Sequence, residues 1–187
     1  LEGQEDLGKG YKVYFRLEQG FDSDNGDEKE ARTAFYRDSY MGVATPFGAI
    51  EFGRTGALTA GTHGGIVGGM SPFGITWKEG ALTKIFAGNI AARLNNMVKY
   101  ESPDLSGFKL YAQYSNGVDD DDVVSSQKNR YIAVGATYRY KNLRLIAAFD
   151  NLFYNDSAVK TDAGVAAGKD LKDQRTYNIG GTYDFGD

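Results

Sequence analysis

The chain has 187 residues, a net charge of −4 and a mean hydropathy of −0.45, enough for one domain with a substantial core. Its acidic balance argues against nucleic-acid binding, which needs a basic stripe, and zero cysteines exclude disulfides and thiolate metal sites. No apolar run reaches the roughly 18 residues of a transmembrane helix, but a transmembrane β-barrel crosses with short alternating strands and keeps a soluble-looking average.

The 13 Tyr, 11 Phe and 25 Gly against three Pro suit strands joined by tight turns. Alternation of apolar and polar residues predicts nine strands, over 1–7, 11–21, 34–44, 49–54, 93–101, 107–115, 130–140, 143–150 and 176–186. In "YKVYFRLEQGF" (11–21), Tyr11, Val13, Phe15, Leu17 and Phe21 share one side, and Lys12, Tyr14, Arg16 and Glu18 the other. The fifth segment sets Arg93, Asn95, Lys99 and Glu101 against Leu94, Val98 and Tyr100, and the sixth sets Lys109, Tyr111, Gln113 and Ser115 against Phe108, Leu110, Ala112 and Tyr114.

Short turns at 7–10, 45–48, 102–107 and 140–142 alternate with long stretches at 22–33, 55–92, 116–129 and 151–175. Hairpins need only two to about five residues, so sheet physics does not require this asymmetry. A barrel with one end toward a confined compartment and the other toward the outside produces it. Residues 22–30, "DSDNGDEKE", carry five acids against one base, and 119–122 read "DDDD". Both read as solvated loops; clustered carboxylates suit a calcium ion, but the spacing is not that of an EF-hand.

Alternation alone leaves two barrels open: apolar inside, as in a soluble ligand carrier, or apolar outside, as in a membrane barrel. Charges in mid-strand favour the second in part. Aromatics gather beside the short turns, at Tyr11, Phe47, Tyr100, Phe108, Tyr138, Tyr140, Tyr183 and Phe185. That is the pattern of a bilayer-interface girdle, with ordinary cross-strand aromatic pairing as the alternative. Residues 55–92 form a long glycine-rich stretch whose ionisable groups are His63, Lys78, Glu79 and Lys84. An apolar loop of this length is expected to pack against something, and folding back inside the barrel would satisfy it.

At this point the residues resemble a family. "EDLGKGYKVYFRLEQGFD" is similar to an early hairpin of Gram-negative general porins, "YMGVATPFGAIEFGR" to the next one, and "NNMVKYESPDLSGF" to the N-S-V-x-Y-x-S-P-x-F-S-G-F hairpin. "YIAVGATYRYKNLRL" and "TYNIGGTYDFGD" resemble later strands, in the right order. The resemblance implies an all-β fold: a transmembrane antiparallel β-barrel of sixteen strands, assembled as a homotrimer in the Gram-negative outer membrane. It implies contacts with outer-membrane lipid and lipopolysaccharide, and passage of ions and small hydrophilic solutes. About nine strands fall in this chain, which therefore looks like an internal portion lacking the first and last strands.

The resemblance also implies that residues 55–92 are the inward constriction loop of a single barrel domain covering 1–187. Arg54 matches the Arg that ends the family's G-R strand, and Arg93 a wall Arg before the N-S-V-x-Y strand. Lys12, Arg16, Glu18 and Lys99 join them as expected pore-lining groups, with Glu79 as the loop's acid; the parity of Arg37 is ambiguous. Wall cations facing few carboxylates predict a pore that leans toward anions or is weakly selective. His63, in "GTHGG", reads as a loop residue whose partial protonation near pH 6 would tune the constriction. A hydrolase would need a Ser/His pair with an orienting partner, which a histidine in a glycine run does not suggest, and no cofactor is called for. A substrate-specific sugar or phosphate channel and a soluble ligand-binding barrel remain as alternatives.

Overall fold

The computed structural model describes residues 1–28, 34–59, 63, 65–67, 93–118, 129–154 and 172–186. Their strands are β1 (Glu2–Gly8), β2 (Tyr11–Leu17), β3 (Ser39–Thr45), β4 (Gly48–Thr55), β5 (Leu94–Glu101), β6 (Phe108–Ser115), β7 (Arg130–Tyr140), β8 (Leu143–Phe153) and β9 (Gln174–Tyr183). They form one antiparallel sheet in chain order, with β1 and β9 at its edges. All nine predicted strands are present.

Their ends differ in instructive places. Strand β2 stops at Leu17 and β3 starts at Ser39; within the segment expected to open β3, Phe35 takes a left-handed backbone with φ of 53°, which interrupts an extended chain there. The two chains still hold together one step further: the Glu18 N–H donates to the Asp38 carbonyl at 2.7 Å, and the Arg37 N–H to the Glu18 carbonyl at 3.2 Å. At the β1–β2 turn, Gly8, Lys9 and Gly10 have φ of 82°, 54° and 82°; glycine supplies this at the first and third positions without a Cβ clash, and Lys9 takes the left-handed region between them.

Register assigns every strand to two faces. One row of directly opposed residues crosses the whole sheet: Gln4, Tyr14, Gly42, Glu51, Lys99, Gln113, Ala133, Asp150 and Thr176. One residue along each strand lies the opposite face: Glu5, Val13, Val43, Ile50, Tyr100, Ala112, Val134, Phe149 and Tyr177. Burial runs against the habit of soluble proteins. On the polar row, Lys99 is 4% exposed, Gln113 2% and Asp150 0%, whereas Val134 is 50% exposed and Ile179 92% on the apolar face. Leaving each large apolar side chain in water forgoes about 1.5–3 kcal/mol, so this face requires an apolar surrounding.

Over β5, β7 and β8 the polar face is covered by residues that follow β4. Ala57, Leu58 and Val67 pack with Leu94, Met97, Tyr131, Ala133, Ile146, Ala148 and Leu152 in a single apolar cluster, with Ile66 against it. Gly135 makes room for them: a Cβ there would lie 2.8 Å from Ile66 Cδ1 and 3.0 Å from Leu58 Cδ2.

Candidate functional site

The inner face carries three groups of polar side chains. At its centre, Glu51 on β4 accepts from Tyr14 Oη at 3.0 Å and from Lys99 Nζ at 2.9 Å. His63, from the segment after β4, brings Nε2 to 3.6 Å from the Glu51 carboxylate. Its ring stacks on Tyr40, with centroids 4.7 Å apart and planes 15° from parallel, and Tyr40 meets Tyr14 edge-on at 6.4 Å. The carboxylate thus ties three strands to one residue of the overlying segment. Gly42 permits this arrangement, since a Cβ there would run into the Tyr14 ring.

Toward β7 and β8 a second group holds the beginning of that segment. The Leu58 N–H donates to Tyr131 Oη at 3.1 Å, and Tyr131 Oη donates to Asp150 Oδ2 at 3.2 Å. Thr59 Oγ1 donates to the same carboxylate oxygen. Gln113 Nε2 adds a bond to the Gly56 carbonyl at 3.2 Å. Tyr131 and Asp150 are both fully buried, so these bonds are shielded from competing water, and losing a partner there is costly.

The third group lies at the end where the long connections begin. Arg93 Nε donates to Asp38 at 2.8 Å and its Nη2 lies 3.7 Å from Glu18. Arg37 Nε donates to Glu18 at 2.5 Å, and Arg16 lies 3.3 Å from Glu2 and 3.7 Å from Glu18. Partial burial pushes the Glu18 carboxyl up, but hydrogen bonds from Arg37 and at Asp38, with the Arg37 and Arg93 charges, outweigh it and hold the group below its ordinary range. The hydrogen bond to Glu18 raises Arg37 in return, against the opposing effect of burial.

A family model described as Gram-negative porin matches residues 1–187. The chain belongs to the Gram-negative porin family. It is similar to an outer membrane porin protein of Bordetella pertussis, 29% identical over 194 residues, covering 99% of this chain and 48% of that protein. Among solved structures it is similar to an anion-selective porin from Comamonas acidovorans, with a TM-score of 0.62 at 26% identity, covering 99% of this chain and 52% of that one. The chain therefore spans about half the length of the curated relative it matches. The family places it in the outer membrane of a Gram-negative bacterium.

Within this porin, Lys12, Arg16 and Lys99 line one groove together with Glu2, Tyr14, Tyr40, Glu51 and Glu101. Glu18 and Arg93 sit at its long-connection end in the ion network. Arg54 lies apart from that groove. A register shift between Gly53 and Thr55, with Gly53 at φ of 134°, lifts Arg54 off the two-residue alternation. Its Nε donates to the Tyr36 carbonyl at 2.7 Å and its Nη1 to Asn95 Oδ1 at 2.6 Å. Glu79, the "DDDD" run and most of 55–92 and 155–175 lie outside the described residues.

The aromatic residues follow the short-turn end of the porin sheet. Phe108 and Tyr138 pair across β6 and β7 with centroids 4.4 Å apart, and Tyr183 meets Phe185 at 4.9 Å. Tyr100 Oη donates to the Phe47 carbonyl at 2.8 Å. Tyr11, Phe47, Tyr100, Phe108, Tyr183 and Phe185 are exposed, and rings that pair across strands while presenting a free edge fit both readings of the pattern.

Sequence reading passed over Glu51, Asp38 and Asp150 as wall acids. For Glu51 the signal was present: "GAIEFGR" alternates, with Ile50 and Phe52 on the apolar side and Glu51 on the side of Lys99. For Asp150 it was the lone acid in "LIAAFDNLF".

Proposed function

We propose that the chain forms part of a closed, homotrimeric barrel that provides a water-filled channel for passive diffusion of ions and small hydrophilic solutes, leaning toward anions. The observation that carries this reading is the reversed sheet: the polar row that crosses all nine strands carries Glu51, Lys99 and Asp150 buried on the inner face, while the opposite face is apolar and exposed. Such a wall replaces hydrocarbon by water along its charged side, and low-dielectric surroundings strengthen the field of its fixed charges. Residues 55–92 act as the constriction loop, supported by the packing of Leu58, Ile66 and Val67 on the charged face. Lys12, Arg16, Glu18, Arg54, Glu79, Arg93 and Lys99 line the path, and no covalent chemistry is involved. Lipid and lipopolysaccharide contact the apolar face and the long loops.

The anion preference has a local source. Glu18, Asp38, Glu51 and Glu101 each face a cation, so much of the wall charge is balanced. Asp150 is sealed beneath the loop, whereas Arg139 and Arg144 stand on the inner face without an ion-pair partner among the described residues. Likeness to an anion-selective porin from Comamonas acidovorans supports the same direction. Reversal potentials of the full-length porin in planar bilayers under a salt gradient test the reading: a potential of the anion-preferring sign is expected, and strong cation preference refutes it.

A further inference from the structure

Away from the central groove, the inner face carries a pairing that sheet physics disfavours. Arg139 on β7 and Arg144 on β8 are direct cross-strand partners, and like charges directly opposite each other destabilise a sheet. Elsewhere on this face Arg16, Arg93, Lys99 and Lys109 each have a carboxylate within ion-pair distance. Arg139 and Arg144 have none among the described residues. Of the nearby acids, Asp104 accepts the Gly107 N–H at 2.7 Å and Asp184 the Gly186 N–H at 2.9 Å, and neither lies within ion-pair distance of the two arginines.

Both arginines line a cavity of about 490 Å³ with Lys109, Tyr111, Thr137 and one carboxylate, Asp104, bounded on the loop side by Ile66. Lys109 is held in place by Glu101 at 2.6 Å, and the hydroxyls of Tyr111 and Thr137 lie 3.4 Å apart. The cavity lies next to the 140–142 turn, at the short-turn mouth and not at the ion network of the opposite end. Two guanidinium forks on adjacent strands present paired donors to the oxygens of one anion, and a bound anion cancels the repulsion between them.

We propose that Arg139 and Arg144, aided by Lys109 and the Thr137 hydroxyl, form a binding subsite for small oxyanions, phosphate and dicarboxylates among them, at the short-turn mouth. The subsite rests on the porin reading above and gives its anion preference a place where solutes dwell before leaving or entering. An oxyanion held there obstructs smaller ions, so it acts as a partial blocker of chloride current.

The test uses full-length protein in planar bilayers, with chloride current recorded while inorganic phosphate is added to one side at a time. Phosphate from the short-turn side is expected to reduce the current at lower concentration than from the loop side, because it reaches the cavity without passing the constriction. In R139Q/R144Q the half-blocking concentration is expected to rise about tenfold or more, as charge-assisted hydrogen bonds to the anion are lost. A current insensitive to phosphate, equal block from both sides, or an unchanged half-blocking concentration in the double variant overturns the subsite while leaving the channel standing. Wild-type protein that opens no channel overturns both. The sidedness measurement needs no variant, so the proposal stays testable if R139Q/R144Q does not assemble.

Discussion

Replacing Asp150 by alanine should release the start of the loop from the wall. The carboxylate is fully buried and accepts from Thr59 Oγ1 and Tyr131 Oη, while Tyr131 in turn receives the Leu58 N–H at 3.1 Å. Alanine leaves two buried hydroxyl donors without their acceptor. At about 1–3 kcal/mol for each unsatisfied group, the docking of this segment should weaken by about 2–6 kcal/mol, with water entering the vacated space moving the result toward the lower figure. Tyr131→Phe removes the middle of the relay and orphans the Leu58 amide, at about 1–3 kcal/mol. Because the two residues share one chain of bonds, the double variant should cost less than the sum of the singles. Hydrogen exchange of the detergent-solubilised porin, followed by mass spectrometry over residues 55–67, reads the effect. A loss of 1.4 kcal/mol corresponds to about tenfold faster exchange through local opening. Exchange in D150A matching the wild type would refute the idea that this relay holds the loop.

Three further perturbations address the rest of the inner face. Glu51→Gln strips the almost fully buried Lys99 of its carboxylate, so thermal unfolding should show a loss of about 3–5 kcal/mol and the reversal potential should move toward anions. Gly42→Ala forces a Cβ into the Tyr14 ring, which should break the 3.0 Å bond to Glu51 at about 1–3 kcal/mol of overpacking, visible as a lowered unfolding midpoint. Glu18 is held below its ordinary value of 4.5, so its contribution is complete above that pH and is lost as pH falls through the lowered value. Acidification should therefore loosen the Arg37–Glu18–Arg93 network in the wild type but cost Glu18→Gln little more, as read by unfolding midpoints between neutral and acid pH.

Much of this architecture was legible because a two-residue period is a local property. Val13, Phe15 and Leu17 on one side and Lys12, Tyr14 and Arg16 on the other are visible without knowing any neighbour, and the observed register keeps them so. What failed to show was set by local backbone geometry or by partners distant in sequence. Phe35 adopts a positive φ, which its identity does not announce, and β3 begins later than alternation suggests. The register shift between Gly53 and Thr55 takes Arg54 out of the two-residue period. Asp150 gains its meaning from Thr59, 91 residues away, a contact that exists only once the loop has folded onto the sheet. Glu51 lay within reach of sequence reading, since its strand alternates as cleanly as β2.

Cysteine scanning along β2 puts the central claim, a charged inner wall and an apolar outer one, to its most direct test. The chain contributes no cysteine background, so single substitutions at residues 12 to 16 can be probed in turn with a charged, membrane-impermeant thiol reagent during conductance recording. Cysteines in place of Lys12, Tyr14 and Arg16 should react and change the current, while those replacing Val13 and Phe15 should stay silent and instead respond to a lipid-dissolved quencher when labelled with a fluorophore. Reversal of that alternation, or equal reactivity at all five positions, would contradict the account.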